Sequence, residues 1–177
     1  MTTILLGVTG SIAAYKACEL TRLFVKAGYD VRVLMTQAST RFVAPLTFRT
    51  LSRNPVCVDM FDEPDEWVPG HISLAELGRV LVIAPCTANV LAKLAHGFAD
   101  DILTATALAA KVPLVIAPAM NTGMWDHPAT QANLATLAAR GVTFVDADTG
   151  DLACGTCGKG RMADPQDIFN ATRPFLP

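Results

Sequence analysis

The chain reads as a doubly wound parallel α/β sheet, and three observations predict it. Short apolar runs rich in β-branched residues recur along its length, helical patterns separate most of them, and turn or cap residues close each one. Runs of this kind suit strands buried on both faces, which lose the apolar-polar alternation of a half-exposed sheet. The expected architecture is a three-layer sandwich of flavodoxin-like or Rossmann-like type.

Strands are predicted over residues 4–9, 31–36, 80–84, 112–117 and 142–145. Helices are predicted over 12–27, 88–95, 101–110 and 128–140, with Gly28 and Gly141 placed to stop the first and last of these. Between Phe61 and Gly70, acids and prolines break the pattern and predict an exposed loop. There is no internal repeat or low-complexity tract. At 177 residues, the whole of 1–177 is expected to form one domain large enough to bury a core without covalent staples.

Composition narrows the function. Hydrophobic residues make up 51% of the chain and charged residues 17%, so part of the surface is expected to close against another copy as a homo-oligomer. A net charge of -2 and a pI near 5.8 exclude nucleic acid as a partner on electrostatic grounds, because such binding rests on clustered Lys and Arg. No basic segment with a signal-peptide core opens the sequence, and no apolar run is long enough to span a bilayer. The expectation is a cytoplasmic protein without membrane contact. Five cysteines, an odd number without an export signal, argue against a disulfide framework and leave a reactive thiol open.

Three clusters of small polar residues follow predicted strands. Thr9, Gly10 and Ser11 join the first strand to the first helix, where backbone N–H groups and the positive helix end can hold a phosphate; a tight structural turn is the alternative. The spacing lacks the full G-x-G-x-x-G of a dinucleotide site, so a mononucleotide fits better. Thr36 and Ser39 follow the second strand on the same sheet edge, as phosphate contacts or as helix caps. Thr87 and Asn89 follow Pro85-Cys86 and add a hydroxyl and an amide there, with Thr87 also suited to capping the next helix.

Near the C-terminus, Gly150, Gly155, Gly158 and Gly160 punctuate a segment that contains Cys154 and Cys157, and they predict a mobile flap with no regular element. Cys154-x-x-Cys157 could be half of a zinc site or a redox pair, but no second such pair and no paired histidines accompany it, so no metal is expected. His71, Asn121 and Cys154 are, on their own, a loop histidine, a turn residue after Pro118 and a flap thiol.

Six ordered motifs change that reading: Gly7-Val8-Thr9-Gly10-Ser11-Ile12-Ala13-Ala14-Tyr15-Lys16, His71-Ile72-Ser73-Leu74, Ala84-Pro85-Cys86-Thr87-Ala88-Asn89, Gly97-Phe98-Ala99-Asp100-Asp101, Pro118-Ala119-Met120-Asn121-Thr122-Gly123-Met124-Trp125 and the Cys154 flap. Together, across nearly the whole chain, they resemble the flavin-dependent cysteine decarboxylases, most closely the branch of coenzyme A biosynthesis that acts on a phosphorylated small-molecule cysteine conjugate. The resemblance implies FMN as cofactor, a homotrimer or assembly of trimers, and a flavin near a subunit boundary. It also implies that Thr9, Gly10, Ser11, Thr36, Ser39, Thr87 and Asn89 hold the flavin. His71 would take the substrate's thiol proton, Asn121 would hold its carboxylate, and Cys154 would protonate the enethiol left by loss of CO2. Met124 would shape the pocket, while Lys159 and Arg161 would anchor the substrate phosphate.

Two features depart from the family pattern. Leu77-Gly78-Arg79 stands where relatives commonly have Trp-Ala-Asp, and the synthetase domain to which the bacterial enzyme is often fused is not among these 177 residues, which leaves an excised domain or a stand-alone enzyme open. Other readings are an oxidative decarboxylase of a peptide's C-terminal cysteine, a flavin-binding regulatory subunit, and a flavin prenyltransferase, which the flap fits poorly.

Overall fold

A computed structural model describes residues 1–61, 70–151 and 157–177. Six parallel strands form one sheet in the order β3-β2-β1-β4-β5-β6. They are β1 (Thr3–Val8), β2 (Asp30–Met35), β3 (Val56–Cys57), β4 (Val80–Cys86), β5 (Leu114–Pro118) and β6 (Thr143–Phe144). The order reverses between β1 and β4, which diverge to opposite halves of the sheet and leave a crevice at their carboxyl ends. The expected doubly wound architecture is therefore present.

Alternation along each strand sends side chains to two cores. Ile4, Leu6 and Val8 join Val31, Val33, Val80 and Val82 on one face, against Ala17, Leu20 and Phe24 of helix α1 (Ala14–Lys26), Phe48 of α2 (Pro45–Ser52) and Ile168 of α8 (Pro165–Thr172). The Phe24 and Phe169 rings meet there with centroids 5.5 Å apart. Leu5, Leu34, Leu81, Ile83 and Ile116 line the other face, against Leu74 of α3 (Gly70–Leu77), Leu91 of α4 (Ala88–His96), Leu103 of α5 (Ile102–Ala109) and Leu137 of α7 (Pro128–Ala139). A four-residue helix, α6 (Thr122–Trp125), follows β5.

Helix ends follow local chemistry. Gly28 and Gly141 both adopt positive φ just beyond α1 and α7, as the sequence predicts. Asp101 and Thr104 form a reciprocal capping box on α5, and Asp164 caps α8 ahead of Pro165.

Two expectations are corrected. The glycine-rich segment is not without regular structure: β7 (Asp148–Asp151) and β8 (Cys157–Arg161) pair antiparallel as a hairpin. Gly158 and Gly160 lie in close contact with the turn after β5. His71 is not in a loop but in the first turn of α3, where it follows Gly70 directly. The loop expected over 61–70 lies mostly outside the described residues, as does Cys154.

The edge of the sheet is tied by one carboxylate. Asp30 accepts hydrogen bonds from Thr3 Oγ1 (3.1 Å), Arg32 Nε (2.9 Å) and Asn54 Nδ2 (2.8 Å), joining β1, β2 and the turn after α2. Burial opposes ionisation of Asp30, but these donors, led by Arg32 and Asn54, outweigh it and hold the carboxyl below its ordinary range. Its contribution to stability is thus complete above the unfolded value of about 3.9 and is lost as pH falls through the lower folded value. Asp30→Asn should lower the melting temperature at pH 7, and the gap to wild type should close between pH 4 and pH 2. A gap that stays constant over that range would contradict the linkage.

Candidate active site

A cleft of about 560 Å³ opens at the carboxyl ends of β1, β2 and β4, where the strand order reverses. Three strand-to-helix connections build its walls. Gly10 and Ser11 come from the first, Thr36, Gln37 and Ala38 from the second, and Thr87, Ala88, Asn89 and Val90 from the third. Lys93 and Asp101 stand at one side, and Ala119, Met120 and Met124 complete the lining.

The connections meet because of specific small residues. A Cβ at Gly10 would lie 2.6 Å from Ala38 Cβ and 3.2 Å from the Ala38 carbonyl carbon, so only glycine lets the first two loops approach this closely. Fully buried Thr9 donates its hydroxyl to Pro85 O (2.8 Å) and accepts from Thr87 N (3.0 Å), fastening the first loop to the third. Ser39, also fully buried, donates to Thr36 O (2.7 Å) and closes the 3-10 turn over residues 37–41. Thr9 and Ser39 therefore brace the walls from behind, while Gly10, Ser11, Thr36, Thr87 and Asn89 line the cleft. Thr87 also caps α4 through Val90 N (3.3 Å).

The hydroxyl of Thr36 is buried with no hydrogen-bond partner among the described residues, and buried hydroxyls are rarely left so. It marks a place where the cleft offers hydrogen-bonding capacity that the protein does not use. Val90, Ala119, Met120 and Met124 add apolar lining to the same cleft.

The other candidates are distributed as follows. Asn121 caps α6, with Oδ1 accepting from Gly123 N (2.8 Å), and sits between cleft-lining Met120 and the helix that carries Met124. His71 is half-buried, with Nδ1 enclosed and without a hydrogen-bond partner among the described residues. It does not line the cleft of the single chain, although its helix α3 packs on α5, whose cap Asp101 does. Lys159 and Arg161 are exposed on β8, and the Lys159 ammonium lies 5.2 Å from the centre of the Trp125 ring. At the far end of the hairpin, Lys16 Nζ donates to Met162 O (3.2 Å); burial, then the charge of Arg161, hold this ammonium below its ordinary range.

Sequence reasoning quoted the Gly97-to-Asp101 motif without giving it a place in the site. Lys93 Nζ lies 2.7 Å from Asp100 and 3.2 Å from Asp101, and the Asp100 hydrogen bond, with Asp101 adding to it, raises the Lys93 ammonium against the opposing effect of burial. The legible signal was a lysine in the last turn of a helix with two acids just past its glycine stop. Cys86, beside the cleft, is fully buried and its thiol is pushed up by that burial, which unsuits it as a nucleophile.

The sequence matches the Flavoprotein family over residues 1–176. The chain belongs to that family. It is 50% identical over 165 residues to the Coenzyme A biosynthesis bifunctional protein CoaBC of Bacillus subtilis, covering 93% of this chain and 41% of that protein. The chain thus spans less than half the length of this bifunctional relative. It is 49% identical over 168 residues to the "Probable phosphopantothenoylcysteine decarboxylase" of Streptococcus mutans, covering 94% of each. Among solved structures it superposes on a cysteine-to-serine mutant of PPC decarboxylase complexed with pantothenoylaminoethenethiol (TM-score 0.89, 35% identity, 98% of this chain and 97% of that one). It also superposes on the FMN binding protein AtHal3 (TM-score 0.87, 36% identity, 99% and 96%).

Gly10→Ala tests the cleft. Overpacking at a tight contact costs about 1–3 kcal/mol, so affinity for FMN should fall by about ten- to a hundredfold. Flavin absorbance per protein after dialysis, and titration of the apoprotein with FMN, provide the measurement. Undiminished affinity would show that the first two loops do not grip the cofactor.

Proposed function

We propose that the chain is an FMN-dependent decarboxylase that converts 4'-phosphopantothenoylcysteine to 4'-phosphopantetheine, with 1–177 as its catalytic domain. The observation that carries this reading is a cleft lined by the Thr36 hydroxyl, which has no hydrogen-bond partner among the described residues, by apolar side chains and by Met120 and Met124 on either side of the Asn121 turn, in a Flavoprotein chain. The stand-alone relative from Streptococcus mutans, matched over 94% of both chains, supports the same substrate.

The residues present fit FMN. Gly10, Ser11 and Thr36 would hold its phosphate end, with Thr9 and Ser39 fixing those loops; the positive end of α1 adds to the grip. Thr87 and Asn89 would meet the middle of the cofactor, and Met120 and Met124 would flank its ring system. Bound flavin supplies a two-electron acceptor that creates a carbon–sulfur double bond in the substrate, and the same electrons are returned after CO2 has left.

The chain's own groups handle protons and orientation. His71 accepts the thiol proton on an imidazole nitrogen, acting as general base. Asn121 orients the substrate carboxylate through an amide; a cationic partner would stabilise the charge that departs as CO2 and so oppose the reaction. Cys154 protonates carbon in the enethiol, and that proton together with the two returned electrons and their hydrogen gives the saturated aminoethanethiol. Arg161 meets the substrate phosphate.

The solved neighbour with a cysteine changed to serine holds an enethiol compound, which supports the Cys154 assignment. Exposed Ile12, Tyr15, Phe42 and Phe98 belong to segments that border the cleft, and they support a trimer in which a neighbouring copy covers its open side. No helix among the described residues is long and apolar enough to cross a membrane, in keeping with a cytoplasmic biosynthetic enzyme.

Purified protein with FMN should be yellow and should convert 4'-phosphopantothenoylcysteine to the saturated thiol with loss of CO2, as weighed by mass spectrometry. Turnover only of peptides ending in cysteine, with release of an enethiol, would reject the reading. Cys154→Ser should keep flavin, complete the oxidative half and accumulate the enethiol; conversion through to the saturated thiol would remove Cys154 from its role. His71→Asn should bind flavin normally but lose about 10²–10⁴-fold in anaerobic flavin bleaching by substrate. Unimpaired bleaching would exclude His71 as the base.

A further inference from the structure

Strand β8 lies directly on the turn that carries Asn121. Gly160 O accepts from Met120 N (2.9 Å), and neither glycine beside Lys159 has room for a side chain: a Cβ at Gly158 would run into Thr122, and one at Gly160 into the Met120 carbonyl. Gly160 also has φ of +132°, a conformation that other residues rarely adopt. Packing at Gly158 is tight, and Thr122 Oγ1 is buried there with no hydrogen-bond partner among the described residues. Between these two close contacts, Lys159 reaches over α6 and places its ammonium 5.2 Å from the Trp125 ring centre, within cation–π range.

Trp125 is itself tied to the candidate site. Its N–H donates to Asn121 O (2.9 Å), as does that of cleft-lining Met124 (3.0 Å), while Gln131 Nε2 donates to Trp125 O (2.6 Å). We propose that Lys159 is a positioning residue that acts through Trp125, holding α6 and hence Asn121 and Met124 in register with β8, and that it is not a ligand for the substrate phosphate. An ammonium engaged on an indole face is drawn away from solvent anions, and Arg161, two residues on, remains for the phosphate. The inference rests on the decarboxylase reading only for its kinetic consequence; the latch itself is a property of the chain without substrate.

Two measurements on the full chain with FMN decide it. In amide hydrogen exchange without substrate, Lys159→Met should speed exchange at Met120 and across 157–161 by about two- to fivefold, the range expected for an exposed cation–π contact. Lys159→Arg should restore protection, Trp125→Leu should match Lys159→Met, and the double variant should add nothing further. In steady-state assays, Lys159→Met should lower kcat/KM by the same factor for 4'-phosphopantothenoylcysteine and for its unphosphorylated analogue. Exchange rates unchanged by Lys159→Met, or a kinetic penalty confined to the phosphorylated substrate, would overturn the proposal in favour of a phosphate ligand. If wild-type protein turns over neither compound, the decarboxylase reading fails, while the exchange data still judge the latch.

Discussion

The hydroxyl of Thr9 holds the site together. It bridges Pro85 O and Thr87 N across 76 and 78 residues of sequence, at the point where β1 and β4 diverge. A parallel sheet whose order reverses must open a crevice there, but nothing in that geometry sets its width. Thr9 sets it. Leaving one buried partner unsatisfied costs about 1–3 kcal/mol, and both of its partners are backbone groups of the loop that also provides Thr87, Ala88, Asn89 and Val90 to the cleft. Gly10, the next residue, fixes the opposite approach, to Ala38. Adjacent residues thus determine both gaps, one through a hydrogen bond and the other through the absence of a side chain.

This division explains how the site was only partly legible. Loop residues after strands one, two and four could be read as polar and small, and the strands themselves could be read from apolar runs because both faces of the sheet are covered. What periodicity could not show was direction. Thr9, Ser39 and Thr36 look alike in sequence, yet the first two turn inward to backbone partners while the Thr36 hydroxyl, at the cleft, has no partner among the described residues. The resemblance to known decarboxylases grouped all three as cofactor contacts, and only packing separates bracing from lining.

Elements that escaped the sequence are short or depend on tertiary partners. Strand β3 has two residues and takes its place by pairing with Val33 and Leu34 of β2. Helix α2 begins at Pro45 behind an extended Ala44 and buries only Phe48 and Ser52, too few positions to establish a period. Helix α3 opens on Gly70 with no acidic residue in its first turn and no basic residue in its last, so His71 read as a loop residue. In each case local propensity is weak and burial against the sheet or α5 decides the outcome.

The hairpin presents the opposite case, a strong local signal that points the wrong way. Glycines weaken a strand because they give up the most conformational freedom and pack nothing, so a cluster of them reads as unstructured chain. A glycine instead marks close approach when atoms of another segment occupy the space its side chain would fill. At Gly158 and Gly160 that space is taken by Thr122 and the Met120 carbonyl, so the entropy lost in ordering the strand is offset by direct contact with the Asn121 turn and by one backbone hydrogen bond. The same two positions that suggested a mobile segment are therefore the ones that require the strand to lie against α6. A glycine pattern becomes interpretable as close approach only once its partner is known, and here that partner is the Met120-to-Trp125 turn, which sequence reading had singled out for separate reasons.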